Sequence, residues 1–324
     1  MTVAAPLALA LSLALVGCAA GRPAPPSESG GVAGPPWPEP VADADLQAAV
    51  EGLVADFDGV VGVYAHHLPT GRTAMLRADE RFPTASLIKV PILVTVFDQI
   101  ESGDLSYTQT FSGGDAPEYA YKEGGLVGQL RADAEVQLHQ LAEAMVAASD
   151  NVASLWLQRE VGGGGAVNEW LAAQGYDDTR VNSRTPGREA DYDAYGWGQT
   201  TPREMARLLQ SIAEGGAVSP EADLEMHRLL SRTFYDDEAI SAIPPGVQVV
   251  SKQGSVMESR SEVAYVHAPS GPYVVAVITR DQGDTRYAPD NAGYQLIRDV
   301  SALLWAAFEP AAPPAPPAAA RYRF

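Results

Sequence analysis

The chain has 324 residues, 46% of them hydrophobic, with a single cysteine and a formal net charge of -19. That acidity argues against a nucleic-acid ligand and against a direct grip on an anionic bilayer, and one cysteine leaves no internal disulfide. With two low-complexity ends set aside, roughly 265 residues remain, enough for one large domain or two intimate lobes.

The first seventeen residues carry no charged side chain, and 7–16 are almost wholly apolar. This run is shorter than the about 20 residues a membrane helix needs, so it reads as an export signal removed by processing (1–17). It ends in Leu15-Val16-Gly17-Cys18, which resembles the lipobox of bacterial lipoproteins, although no Lys or Arg precedes it. The resemblance implies a lipid anchor on Cys18 and an exported cell-envelope lipoprotein, periplasmic or on the cell surface according to the envelope. Residues 18–42, rich in Pro and Gly, read as a disordered tether, and 309–324 as a second Pro/Ala-rich tail.

Between these ends, 43–57 has helical spacing, 60–68 reads as a strand, Pro69-Thr70-Gly71 as a turn and 72–76 as its partner. A helix follows Pro83 and Thr84 and runs to about Glu101, and 111–128 reads as an irregular surface excursion packed by Tyr119 and Tyr121. Helices are predicted over 137–147 and 151–160, broken at Ala148-Ser149-Asp150, and then over 166–174 after four glycines. Residues 180–201 show no period, and so long a loop in a compact domain tends to be functional. Helices over 202–214 and 220–231 precede strands over 248–252, 262–268 and 272–279, and an amphipathic helix over 291–308. Strands and helices do not alternate, so the fold class is α+β. We expect a five-stranded antiparallel sheet flanked by the terminal helices (43–85 and 216–308), and an all-helical lobe over about 86–215.

Ser86 and Lys89 lie three residues apart at the start of an apolar helix, on one face and within one turn. A serine needs a partner to take its proton, and a lysine in a partly dry pocket can do so if its pKa is lowered. Ser149-Asp150-Asn151 lies between two helices, Lys252-Gln253-Gly254-Ser255 ends a strand, and Thr200-Thr201-Pro202-Arg203-Glu204-Met205 opens a helix. Together, in this order, these stretches resemble the penicillin-recognising serine hydrolases, specifically the class A beta-lactamase domain, over about 44–308.

The resemblance implies a β-lactam or a peptidoglycan-derived substrate. Ser86 would be the nucleophile, Lys89 its base, Ser149 the proton relay to the leaving nitrogen, and Lys252 the charge that favours that relay. The N–H groups of Ser86 and Ser255 would form the oxyanion hole, and Asn151 would bind the substrate amide. Asp150 would fix its turn. Arg260 would add a second positive contact to the substrate carboxylate, alongside Gln253, Gly254 and Ser255. Two departures stand out. The family's Lys-Thr-Gly is Lys252-Gln253-Gly254 here, and the position of the glutamate that activates the deacylating water holds Thr185, followed by Pro186-Gly187-Arg188-Glu189. Thr185 cannot act as a carboxylate base, and Glu189 substitutes for it only if the loop is rearranged.

Three functions stay open: a beta-lactamase, fast or slow; a cell-wall D-Ala-D-Ala peptidase or esterase using the same serine; and a non-catalytic envelope binding protein. No cofactor or metal motif is evident, since the five histidines are scattered and His66 and His67 would face opposite ways in a strand. A monomer is expected.

Overall fold

The computed structural model describes Met1 and residues 37–120 and 125–312; all of these except Met1 belong to one compact unit, Gly31–Phe324. The leader, Cys18, Tyr121 and the 313–324 tail lie outside the described residues.

The main sheet runs β1-β3-β2-β11-β10-β9, from β1 (Val41–Ala42), β2 (Val60–His67), β3 (Arg72–Leu76), β9 (Val249–Val256), β10 (Ser259–Val266) and β11 (Tyr273–Arg280). Five strands pair antiparallel as expected. The sixth, β1, is an addition: it pairs parallel to β3, with Val41 opposite Arg72. A two-residue strand has no period to read, so the sequence reads through it as tether. Trp37, within the predicted tether, is held in place: its indole N–H donates to the Glu214 carboxylate. The predicted tail also starts later than 309, because Glu309 is buried and accepts the Ser270 N–H at 2.6 Å.

Both faces of the sheet are covered, which is why its strands read as near-continuous apolar runs. On β11, Tyr273, Val275 and Val277 face one core, with α1 (Ala44–Val54) and α9 (Ala292–Phe308), while Val274, Ala276 and Ile278 face the other. The period of two also separates the adjacent histidines: His67 stacks on Phe308 and His66 meets Tyr64 edge-on.

Two short pairings, β4 (Phe82–Pro83) with β8 (Gly198–Thr200) with β7 (Arg180–Val181), and β5 (Thr110–Ser112) with β6 (Glu135–Gln137), brace the second lobe. That lobe is built from α2 (Lys89–Glu101), α3 (Leu138–Ala147), α4 (Asn151–Glu160), α5 (Gly163–Ala173), α7 (Pro202–Ala213) and α8 (Pro220–Leu230). Met226, Leu229 and Leu230 of α8 join its core, so the helical lobe extends past 215. The 180–201 segment is not structureless: β7, β8 and the two-turn helix α6 (Glu189–Tyr195) shape it. α6 has no buried residue and therefore no apolar stripe to betray it. His227 and His267 are not scattered either; their Nε2 atoms lie 3.0 Å apart, although no group of three candidate metal ligands exists among the described residues.

Candidate active site

Ser86 sits in a 3-10 turn, Ala85–Ile88, that leads directly into α2. The preceding residue, Ala85, has φ +44°, and Ser149, the residue before α4's N-cap, has φ +55°. Non-glycine residues in the left-handed region cost of order 1–3 kcal/mol and cluster at functional sites, so one beside the nucleophile and one bonded to Lys89 mark this corner. The strain at Ser149 is held by Asp150, whose carboxylate accepts the Ala153 N–H at 2.9 Å and the Val127 N–H at 3.0 Å. Asp150 is thus the turn-fixing residue the sequence suggests. Asp150→Ala removes a cap and orphans a second buried N–H, so we expect a loss of about 2–4 kcal/mol, read as a lowered melting temperature.

Lys89 is fully buried. Its Nζ lies 2.6 Å from the Ser149 carbonyl, 2.8 Å from Asn151 Oδ1, and 3.0 Å from both Ser86 Oγ and Ser149 Oγ. Two of these partners only accept, and two are hydroxyls that can donate. A neutral amine has two N–H donors and one lone pair, so this shell suits the neutral form with the lone pair turned to a hydroxyl. Burial acts the same way, pulling the Lys89 pKa down to about 7, with Asp150 opposing.

Lys252, also fully buried, has a different shell. Its Nζ donates to Ser149 Oγ at 3.1 Å, to the Gln253 carbonyl at 2.9 Å and to Gln253 Oε1 at 2.7 Å. Three acceptors match the three donors of an ammonium. Burial and then Lys89 push its pKa well down, while Glu238 and Glu262 oppose. Unmatched buried donors are costly, so the donor count favours Lys252 as the charged member of the pair. Glu262, held by the Ser251 hydroxyl at 2.5 Å and the Ala239 N–H at 2.7 Å, is itself pushed up to about 7 by burial. Ser149 Oγ therefore stands between two amines, one suited to take a proton and one to give charge.

Gly254 brings β9 against the nucleophile. A Cβ there would sit 2.8 Å from Ser86 N and 2.8 Å from Thr84 O. This approach places Ser255 beside Ser86 in a cleft of about 660 Å³, whose walls include Asn151, Tyr195, Trp197, Met257 and Arg280.

Three expectations are corrected. Arg260 does not line the cleft: it is fully buried and donates to the carbonyls of Val256, Ser259 and Arg286. Gln253 does not form the pocket floor, because its amide turns back onto Lys252. Thr185 lines a neighbouring cavity of about 570 Å³ rather than the Ser86 cleft, and its hydroxyl donates to the Ser183 carbonyl at 3.1 Å. Glu189 and Asp193 line that same cavity, and Glu189 is exposed, accepting the Gly187 N–H at 3.1 Å. Trp197 forms a wall of both spaces. Sequence reasoning missed Tyr195, Trp197 and Arg280; aromatics inside a long aperiodic loop were the available signal for the first two.

The model of the beta-lactamase enzyme family matches residues 45–308 of this chain. The chain belongs to the beta-lactamase enzyme family. Over 252 residues it is 30% identical to a beta-lactamase of Streptomyces albus G, covering 74% of this chain and 77% of that protein. The fold is similar to the beta-lactamase of Sphaerobacter thermophilus (27% identity, TM-score 0.70, 83% of this chain and 98% of that one). It is also similar to a leucine-to-glutamate mutant of PBP-A, solved as an acyl-enzyme complex with penicillin-G (25% identity, TM-score 0.74, 84% and 99%). This family member is therefore a beta-lactamase-like serine hydrolase, with the α+β fold its sequence implies.

Proposed function

We propose that Ser86 is acylated by β-lactams and that the acyl-enzyme is released slowly. The observation that carries this is the Lys89 shell: a buried amine 3.0 Å from Ser86 Oγ whose partners suit the neutral state. In this reading Ser86 Oγ attacks the lactam carbonyl carbon as its proton passes to Lys89 Nζ, and the N–H groups of Ser86 and Ser255 hold the oxyanion. Ser149, 3.0 Å from Lys89 and 3.1 Å from Lys252, passes a proton to the ring nitrogen as the C–N bond breaks. Asn151 lines the cleft to meet the substrate amide while steadying Lys89. Acylation of PBP-A's mutant by penicillin-G supports this reading by likeness.

Slow release follows from what meets the cleft. Thr185 has no carboxylate, and Glu189 and Asp193 lie in the adjoining cavity. The carboxylates lining the cleft itself are Glu258, which is exposed, and Asp281, which is paired with Arg280 at 3.1 Å. A chromogenic cephalosporin should therefore give a burst and a stable mass increment on Ser86, followed by slow turnover. Wild-type protein that gains no mass would refute the proposal. Glu189→Gln should change turnover less than about threefold; a fall of about a hundredfold would identify Glu189 as the base instead.

A stem-peptide substrate in the same assay separates this reading from a cell-wall peptidase or esterase, which the beta-lactamase relatives do not favour. We further propose that Cys18 carries a lipid anchor in the cell envelope, on the strength of Leu15-Val16-Gly17-Cys18. Mass spectrometry of the N-terminal peptide from the producing cell should find it starting at a diacylated Cys18, and a peptide that begins elsewhere or carries no lipid would overturn this.

A further inference from the structure

Carboxylate recognition in this cleft has lost two of its expected contributors, since Gln253 is turned onto Lys252 and Arg260 is spent on backbone carbonyls. A third residue, on an element the catalytic stretches do not include, takes the vacant role. Tyr294, in the first turn of α9, places its hydroxyl 2.9 Å from Ser255 Oγ. Its ring lies against the Arg260 guanidinium at 4.8 Å, with Tyr287 on the same cation at 4.7 Å. Gly293 permits this approach, because a Cβ there would stand 2.7 Å from Arg260 Cγ.

The direction of the hydroxyl pair decides what the cleft offers. If Ser255 donates to Tyr294, Ser255 turns only lone pairs to the cleft and repels an anion. If Tyr294 donates, the Ser255 proton is free to point outward. A phenol is the stronger donor of the two, and a cation on its ring face withdraws electron density and strengthens it further. We propose that Tyr294 is a specificity-determining residue: its hydroxyl donates to Ser255 and frees the Ser255 O–H to bind a carboxylate on the substrate. Arg260 contributes through the ring and never touches the ligand. The inference rests on acylation of Ser86 and assigns to Tyr294 the orientation of the group that meets the substrate carboxylate.

Tyr294→Phe keeps the ring on Arg260 and removes only the hydroxyl. The test compares the rate of Ser86 acylation, followed by intact mass, for a cephalosporin with a free carboxylate and for its methyl ester. Wild-type protein should prefer the acid, and Tyr294→Phe should reduce the acid-to-ester rate ratio about tenfold or more, as expected for a lost hydrogen bond to a charged group. Ser255→Ala should reduce the same ratio, and the double variant should reduce it no further than either single one. An unchanged ratio in Tyr294→Phe, or additive losses in the double variant, overturns the assignment. Loss of both rates in proportion also overturns it, since that marks a purely structural residue. Wild-type protein that neither compound labels refutes acylation itself, and this inference falls with it.

Discussion

Lys89→Met is expected to lower the rate of Ser86 acylation by about 10³-fold, with the fold intact. Methionine keeps the buried volume and removes the base. The Ser149 carbonyl and Asn151 Oδ1, which now accept from Nζ at 2.6 and 2.8 Å, lose a donor, so a modest fall in stability accompanies the loss. The pH profile is the sharper readout. Lys89 acts as a base only when neutral, and burial sets its pKa at about 7. Acylation by the wild type should therefore rise with pH through about 7 and level off above it. The variant should lack that limb and retain whatever residual dependence the Lys252 and Glu262 corner imposes. A variant that acylates at the wild-type rate would remove Lys89 from the mechanism.

Gly254→Ala is expected to reduce acylation by about 10²-fold, roughly the cost of losing one oxyanion donor. The new methyl would meet Ser86 N and Thr84 O at 2.8 Å each and Ser261 Oγ at 2.7 Å. The serine side chain can rotate away, but the two backbone atoms cannot. Strand β9 must therefore withdraw from the nucleophile's turn, moving the Ser255 N–H out of line with the Ser86 N–H. The separate signature is a damaged rate with an undamaged Lys89 limb, since Lys89 and its partners Ser86, Ser149 and Asn151 are not carried on β9. Single-turnover acylation against pH distinguishes it cleanly from Lys89→Met.

Much of the fold was legible because its elements carry strong periods. The apolar runs of β2 and β11, the stripe of α3 and the Pro-started α7 and α8 each bury residues the sequence already marks. What escaped detection had no face to mark. β1 is two residues long, α6 buries none of its side chains, and the anchoring of Trp37 and Glu309 depends on partners 177 and 39 residues away in the chain.

The site divides in the same way. Residue type and spacing marked Ser86 and Lys89 as a pair, and the resemblance to the penicillin-recognising serine hydrolases added Ser149, Asn151 and Lys252; the fold brings all five within one hydrogen-bonded cluster. The structure alone could assign Arg260, Gln253 and Tyr294, because sequence tells which groups can bind an anion and not which are already satisfied. Arg260 is buried against three carbonyls, Gln253 is held by its neighbouring lysine, and the hydroxyl that engages Ser255 comes from a helix 39 residues beyond it. Hydrogen-bonding capacity is a property of the residue, whereas its availability to a ligand is settled by everything packed around it.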